Sequence, residues 1–170
     1  MELDKFFQLL IGGVVVGSIY AMVALGYTMV YGILGIINFA HGEVMMIGAM
    51  VAMTVSSILL SMGLPVLLVL LLAMAAAMLV CMVLSYTMEK VAYRPLRNAP
   101  KLAPLITAIG LSFLIQAAAQ IIWGKSPQPF PDLLPSERIV LFSDVGITMR
   151  EIVIVGLSLV MCAGLLTLVN

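Results

Sequence analysis

The residues best suited to chemistry stand in one short segment between long apolar stretches. Asn38, His41 and Glu43 form the only strongly polar cluster in residues 6–88. The segment also carries four glycines, Gly26, Gly32, Gly35 and Gly42. Glycine costs a helix about 1 kcal/mol relative to alanine, and broken helices persist at membrane depth only where they pack against protein or line a wet cavity. Residues 27–42 therefore predict a broken or re-entrant half-helix beside a path for a solute.

Two other interpretations of this polar cluster stay open. Asn38 and His41 are three residues apart and share a face if that stretch is helical. All three polar side chains could instead lie at the membrane–water interface and cap the next span, with Glu43 in the first turn, where a carboxylate meets the helix dipole. Hydrogen bonding between helices is the third interpretation. If the segment is instead a broken helix beside a solute path, Asn38, His41 and Glu43 are candidates for the path or its gate.

Two tyrosines precede the cluster on one flank. Tyr27 and Tyr31 are four residues apart, one turn of a helix. Tyrosine rings in a membrane span usually pack against neighbours or sit at the interface. Lining a solute path is the alternative, so Tyr27 and Tyr31 join the candidate path residues.

The elements that must position these residues follow from the composition. Of 170 residues, 64% are hydrophobic and 9% are charged, whereas soluble domains carry about 25% charged residues. A helix needs about 20 apolar residues to cross a bilayer core about 30 Å thick. We therefore predict an all-α, polytopic transmembrane bundle with five spans plus the broken segment. The predicted spans are 6–26, 43–61, 65–88, 103–123 and 150–169.

Charged residues indicate how the chain is oriented in the membrane. The loop 89–101 is basic, and the positive-inside rule places it, with Arg94 and Arg97, in the cytoplasm. Counting spans from that loop puts residues 38–43 near the inner side and the loop 124–149 outside.

Small residues recur at four-residue spacing in the first span, which lets helices approach closely within the chain or against another subunit. They are Gly13, Gly17 and Ala21.

The external loop contains local signals of its own. Residues 138–142 and 145–149 flank Ser143-Asp144 and predict a small β-hairpin. Thr148 and Glu151 have the spacing of a capping box, so the last span is expected to start there. This loop is either a surface connector or a docking surface for an external partner.

Several classes of function are excluded or disfavoured. The net charge is zero and there is no basic patch, so nucleic acid is not an expected partner. His41 is the only histidine, and neither a zinc-protease helix motif nor a P-loop is present. No catalytic residue, metal or cofactor is predicted, and Cys81 and Cys162 are interpreted as small packing residues. Energy for transport must then come from a partner protein or an ion gradient, which leaves a passive channel or ion-coupled carrier as the alternative.

Three stretches resemble the permeases of high-affinity branched-chain amino-acid ABC transporters. They are GYTMVYGILGIINFAHGEVMMIG at 26–48, VAYRPLR at 91–97 and TAIGLSFLIQ at 107–116. With similar spacing between them, they cover most of residues 10–123. The first is long and specific to the family.

The resemblance implies a membrane-spanning permease subunit in the bacterial inner membrane. It implies a second, related permease, two cytoplasmic ATPase subunits and a periplasmic solute-binding protein as partners, with the lipid bilayer as solvent. Family members carry branched-chain amino acids, and similar sequences carry urea or short amides. Family permeases continue well past residue 170, so residues 1–170 are expected to be a single permease domain that is incomplete at its C-terminus and does not transport alone.

Overall fold

The computed structural model describes residues 2–35, 38–96, 98–100, 102–131, 133, 138–142 and 145–169. Within them, five helices are long and apolar enough to cross a membrane. The helices are α1 (Glu2–Leu34), α2 (His41–Ser61), α3 (Val66–Met88), α4 (Leu102–Trp123) and α5 (Met149–Val169). Strands β1 (Arg138–Phe142) and β2 (Val145–Thr148) precede α5. The predicted all-α class and the five spans are confirmed.

The break after the first span is shorter than predicted. Residues 27–34 do not form a separate half-helix but continue α1, which has 33 residues and is about 50 Å long. Gly26 and Gly32 are tolerated inside the helix because lipid offers a peptide group no other hydrogen-bond partner. The helix ends at Leu34 and is followed by Gly35, whose φ of +64° suits glycine and whose N–H donates to the Tyr31 carbonyl at 2.8 Å.

The third span runs beyond its predicted end. Residues Glu89–Tyr93 form a π-helical turn and Arg94–Leu96 a 3₁₀ turn, so helical structure follows α3 into the basic loop. The Arg94 N–H donates to the Glu89 carbonyl, five residues back. Pro95 accounts for the change, because it has no N–H to donate and its ring clashes with the carbonyl four residues earlier.

Contacts group the residues into two units, and Val30–Leu133 form the larger one. Here α2 and α3 approach closely at Gly48, where a Cβ atom would lie 2.7 Å from Cys81 Sγ. The Cys81 thiol donates to the Val44 carbonyl at 3.4 Å. A buried apolar cluster lies at the start of α2 and contains Ala40, Val44, Met88 and Ile115.

The other unit comprises Met1–Met29 with Leu134–Asn170. The predicted hairpin is confirmed, and β1 pairs antiparallel with β2. Gln8 ties it to α1, since its side-chain amide accepts from the Gly146 N–H and donates to the Gly146 carbonyl, both at 3.2 Å. Glu151 accepts from the Thr148 N–H at 2.8 Å, and α5 starts at Met149, as the capping-box spacing predicts.

Candidate functional site

Asn38 organises the turn that starts α2. Its Oδ1 accepts the Ala40 N–H at 3.0 Å, while its carbonyl accepts the His41 N–H at 3.1 Å. This side-chain-to-backbone bond is the local turn that asparagine favours. Ala40 occupies the N-cap position and offers no capping side chain, so Asn38 satisfies an N–H that would otherwise lack a partner.

The turn is also held from the end of α3. The Tyr93 hydroxyl donates to the same Asn38 Oδ1 at 2.7 Å. Tyr93 belongs to the π-helical turn, which inserts one residue and rotates the positions after it by about 100° relative to a continued α-helix. The aromatic ring packs against the apolar cluster formed by Ala40, Val44, Met88 and Ile115. The predicted polar residue Asn38 is therefore bonded to a side chain 55 positions away.

Glu43 contacts the fourth helix. The Ser112 hydroxyl donates to Glu43 Oε1 at 3.1 Å, and both residues are partly buried. Glu43 is the acidic residue of the first turn of α2, where a carboxylate favourably meets the helix dipole. The carboxylate therefore both stabilises the helix start and links it to α4.

A second hydrogen bond fixes how α2 and α4 are aligned. Trp123 Nε1 donates to Thr54 Oγ1 at 2.9 Å, and this pair is separated by 69 residues, as are Glu43 and Ser112. Equal separations mean that the two helices run in the same direction in constant register. His41, the first residue of α2, is thus level with Gly110, about 12 Å along α4 from Leu102.

The polar turn before α2, residues 38–43, therefore lies beside α4 and not beyond its end. Ser112 is the eleventh of the 22 residues of α4, so Glu43 is level with the middle of that helix. The span count alone put residues 38–43 near the inner side. The turn is level with the first half of α4, and its depth in the membrane stays a prediction.

The remaining predicted residues are not all part of this group. Tyr31 lies on α1 with 55% of its surface exposed, and Tyr27, one turn earlier, is partly buried. His41 is partly buried at the first position of α2. Arg94 is exposed in the 3₁₀ turn, and Arg97 lies outside the described residues. The structure shows no hydrogen bond from Tyr31 to another described side chain, and its role in the path stays a prediction.

The predicted packing stripe is open in the described part of its unit. A Cβ atom built at Gly13 or Gly17 meets no atom of a neighbouring element within 4 Å, and Ala21 is exposed. The close helix approach that the spacing favours is therefore not made there. Packing against another subunit stays a prediction.

Sequence reasoning missed two residues of the site. Tyr93 and Ser112 supply the hydroxyls that bond Asn38 and Glu43. Both stand in the stretches at 91–97 and 107–116 that carry the family resemblance. Their place in these stretches was the one feature that could have identified them. Composition alone does not distinguish a hydroxyl that bonds another helix from the many others in these helices.

Comparisons with known proteins agree with the resemblance. A family described as "branched-chain amino acid transport system / permease component" matches residues 9–170. The chain is 45% identical, over 139 residues, to the high-affinity branched-chain amino acid transport system permease protein BraD of Pseudomonas aeruginosa, covering 81% of this chain and 45% of that protein. It is 41% identical to LivH of Salmonella typhimurium over 136 residues (79% and 44%) and 40% identical to LivH of Escherichia coli over 140 residues (82% and 46%).

The matched region is less than half the length of each of these relatives. No solved structure gives a significant match. The family match covers nearly the whole chain, and the described helices have the lengths and apolar character that a permease requires. The chain belongs to the family of permease components of branched-chain amino acid transport systems.

Proposed function

We propose that this chain forms part of the solute path of a binding-protein-dependent ABC importer for branched-chain amino acids. The observation that carries the proposal is the polar break before α2, with Glu43 level with the middle of α4. Irregular backbone at membrane depth is tolerated where it packs against protein or lines a water-filled cavity. A charged side chain at the centre of a bilayer costs about 2.5–3.5 kcal/mol on insertion scales, and ionisable residues within spans often mark solute paths.

The names of the relatives support the choice of solute. BraD and LivH are named as permease proteins of high-affinity branched-chain amino acid transport systems. The proposed partners are a second permease, two cytoplasmic ATPase subunits and a periplasmic binding protein, in the bacterial inner membrane. Hydrolysis of ATP belongs to the ATPase subunits, and the permease itself is not the enzyme.

The proposed path runs beside the start of α2. Asn38 and Glu43, both partly buried, provide polar groups at its edge. A zwitterionic solute needs polar groups of this kind along its way.

Reconstitution tests this function. The complete permease is placed in vesicles with its ATPase subunits and binding protein, and uptake of radiolabelled leucine, isoleucine and valine is measured with and without ATP. We expect ATP-dependent uptake that unlabelled leucine suppresses. Equal uptake without ATP would favour a passive channel, uptake that collapses with the ion gradient would favour an ion-coupled carrier, and uptake of urea alone would reassign the solute.

A further inference from the structure

The start of α2 is held by hydroxyl groups from two different neighbouring elements. Tyr93, after α3, donates to Asn38 Oδ1 at 2.7 Å, and Ser112 of α4 donates to Glu43 Oε1 at 3.1 Å. The two acceptors lie on either side of the first residue of α2. The polar break is thus attached at one point to each of the helices that flank it.

These attachments matter because their surroundings are apolar. The Tyr93 ring packs on the buried cluster at the start of α2, and its hydroxyl meets the Asn38 oxygen in partly buried surroundings. Hydrogen bonds are stronger in such low-dielectric surroundings, and an acceptor left without its donor is penalised. Each bond therefore favours one placement of the turn over its alternatives.

The local structure around Tyr93 is itself unusual. The π-helical turn Glu89–Tyr93 replaces a regular α-helical ending and sets the direction of Tyr93. Such turns often occur at functional sites in helices. It also continues directly into the exposed residue Arg94 of the basic loop, so the Tyr93 side chain links that loop to Asn38.

We propose that Tyr93 and Ser112 are positioning residues of the translocation path, acting through Asn38 and Glu43. The inference rests on the proposed function. Tyr93 ties the turn before α2 to the loop after α3, and Ser112 sets the Glu43 carboxylate against the middle of α4. Breaking the two hydrogen bonds frees the start of α2, and re-forming them returns it to the same position.

The test measures uptake by the complete permease with its ATPase subunits and binding protein in vesicles. Tyr93→Phe and Ser112→Ala each remove one hydroxyl and leave most of the packing in place. We expect turnover per permease to fall about three- to tenfold, the scale of one hydrogen bond. The leucine concentration at half-maximal rate should stay unchanged, because the proposed binding protein captures the solute.

Two controls match these changes. Tyr86→Phe removes a hydroxyl from a tyrosine that is 64% exposed and keeps the ring that Lys90 contacts. Ser57→Ala removes a hydroxyl that donates only within its own helix, to the Met53 carbonyl at 2.9 Å. Both should retain the turnover of the parent.

A double variant separates positioning from general damage. In an Asn38→Ala permease the Tyr93 hydroxyl has lost its acceptor, so adding Tyr93→Phe should cause no further loss of turnover. Additive losses would overturn the inference, and so would turnover equal to that of the controls or a loss in proportion to permease missing from the membrane. A parent complex that takes up no branched-chain amino acid would instead overturn the proposed function, and the inference with it.

Discussion

Glu43, in the first turn of α2, is hydrogen-bonded at 3.1 Å to Ser112, half way along α4. The contact is a hydrogen bond between helices, which is one of the three interpretations of residues 38–43. It also shows that the α2 helix begins well inside the length of α4.

Glu43→Ala should reduce transport far more than it reduces the amount of permease. The change removes the Ser112 acceptor and the only acidic group of residues 6–88, and we expect a loss of turnover of about tenfold or more, the scale of a hydrogen bond to a carboxylate. Glu43→Gln keeps an acceptor oxygen and should lose less. Uptake per permease, with the amount set by immunoblot, is the measurement. Parallel loss of protein and uptake would indicate a purely structural role.

Gly48→Ala should loosen the packing of α2 on α3. Its new Cβ would meet Cys81 Sγ at 2.7 Å, and overpacking of this kind costs about 1–3 kcal/mol. The midpoint of thermal unfolding in detergent should fall. Gly110→Ala is the matched control, because a Cβ there meets nothing within 4 Å. Since the clash involves one sulfur, Gly48→Ala combined with Cys81→Ala should recover part of the loss, and no recovery would contradict the assigned contact.

Gly35→Ala should destabilise the end of α1. The φ of +64° places the residue in the left-handed region, where a side chain costs about 1–2 kcal/mol. Gly32→Ala, three residues earlier inside the helix and with open space around its Cβ, should instead be neutral or stabilising by up to about 1 kcal/mol. Unfolding midpoints of the two purified variants decide the matter. If both shift the midpoint in the same direction, the break is not at Gly35.

Ser56→Ala should be neutral or stabilising. Ser56 is fully buried, and its hydroxyl has no hydrogen-bond partner among the residues that the structure describes. A buried hydroxyl without a partner costs about 1–3 kcal/mol on mutational scales, so its removal relieves that penalty. Thr54→Val, two residues earlier, removes the acceptor of Trp123 and should lower the unfolding midpoint. A Ser56→Ala variant less stable than Thr54→Val would mean that the Ser56 hydroxyl has a partner.

The break itself shows where local reasoning stops. The glycines predicted an interruption over 27–42, yet Gly26 and Gly32 lie within α1 and only Gly35 ends it. Propensity in water overstates the effect of glycine in an apolar helix, where no solvent competes for the peptide groups. The hairpin and the start of α5 were predictable, because their signals act between residues only a few positions apart.

The sequence by itself determined the membrane as solvent, the five spans and the polar cluster at Asn38, His41 and Glu43, because charge and hydropathy act along the chain whatever its fold. Only the tertiary structure decided which hydroxyls meet that cluster and at what level along α4 it lies. Tyr93 and Ser112 stand 55 and 69 positions from their partners, and their contacts depend on the register between helices, which is set by side-chain packing and leaves no periodic signal in the sequence.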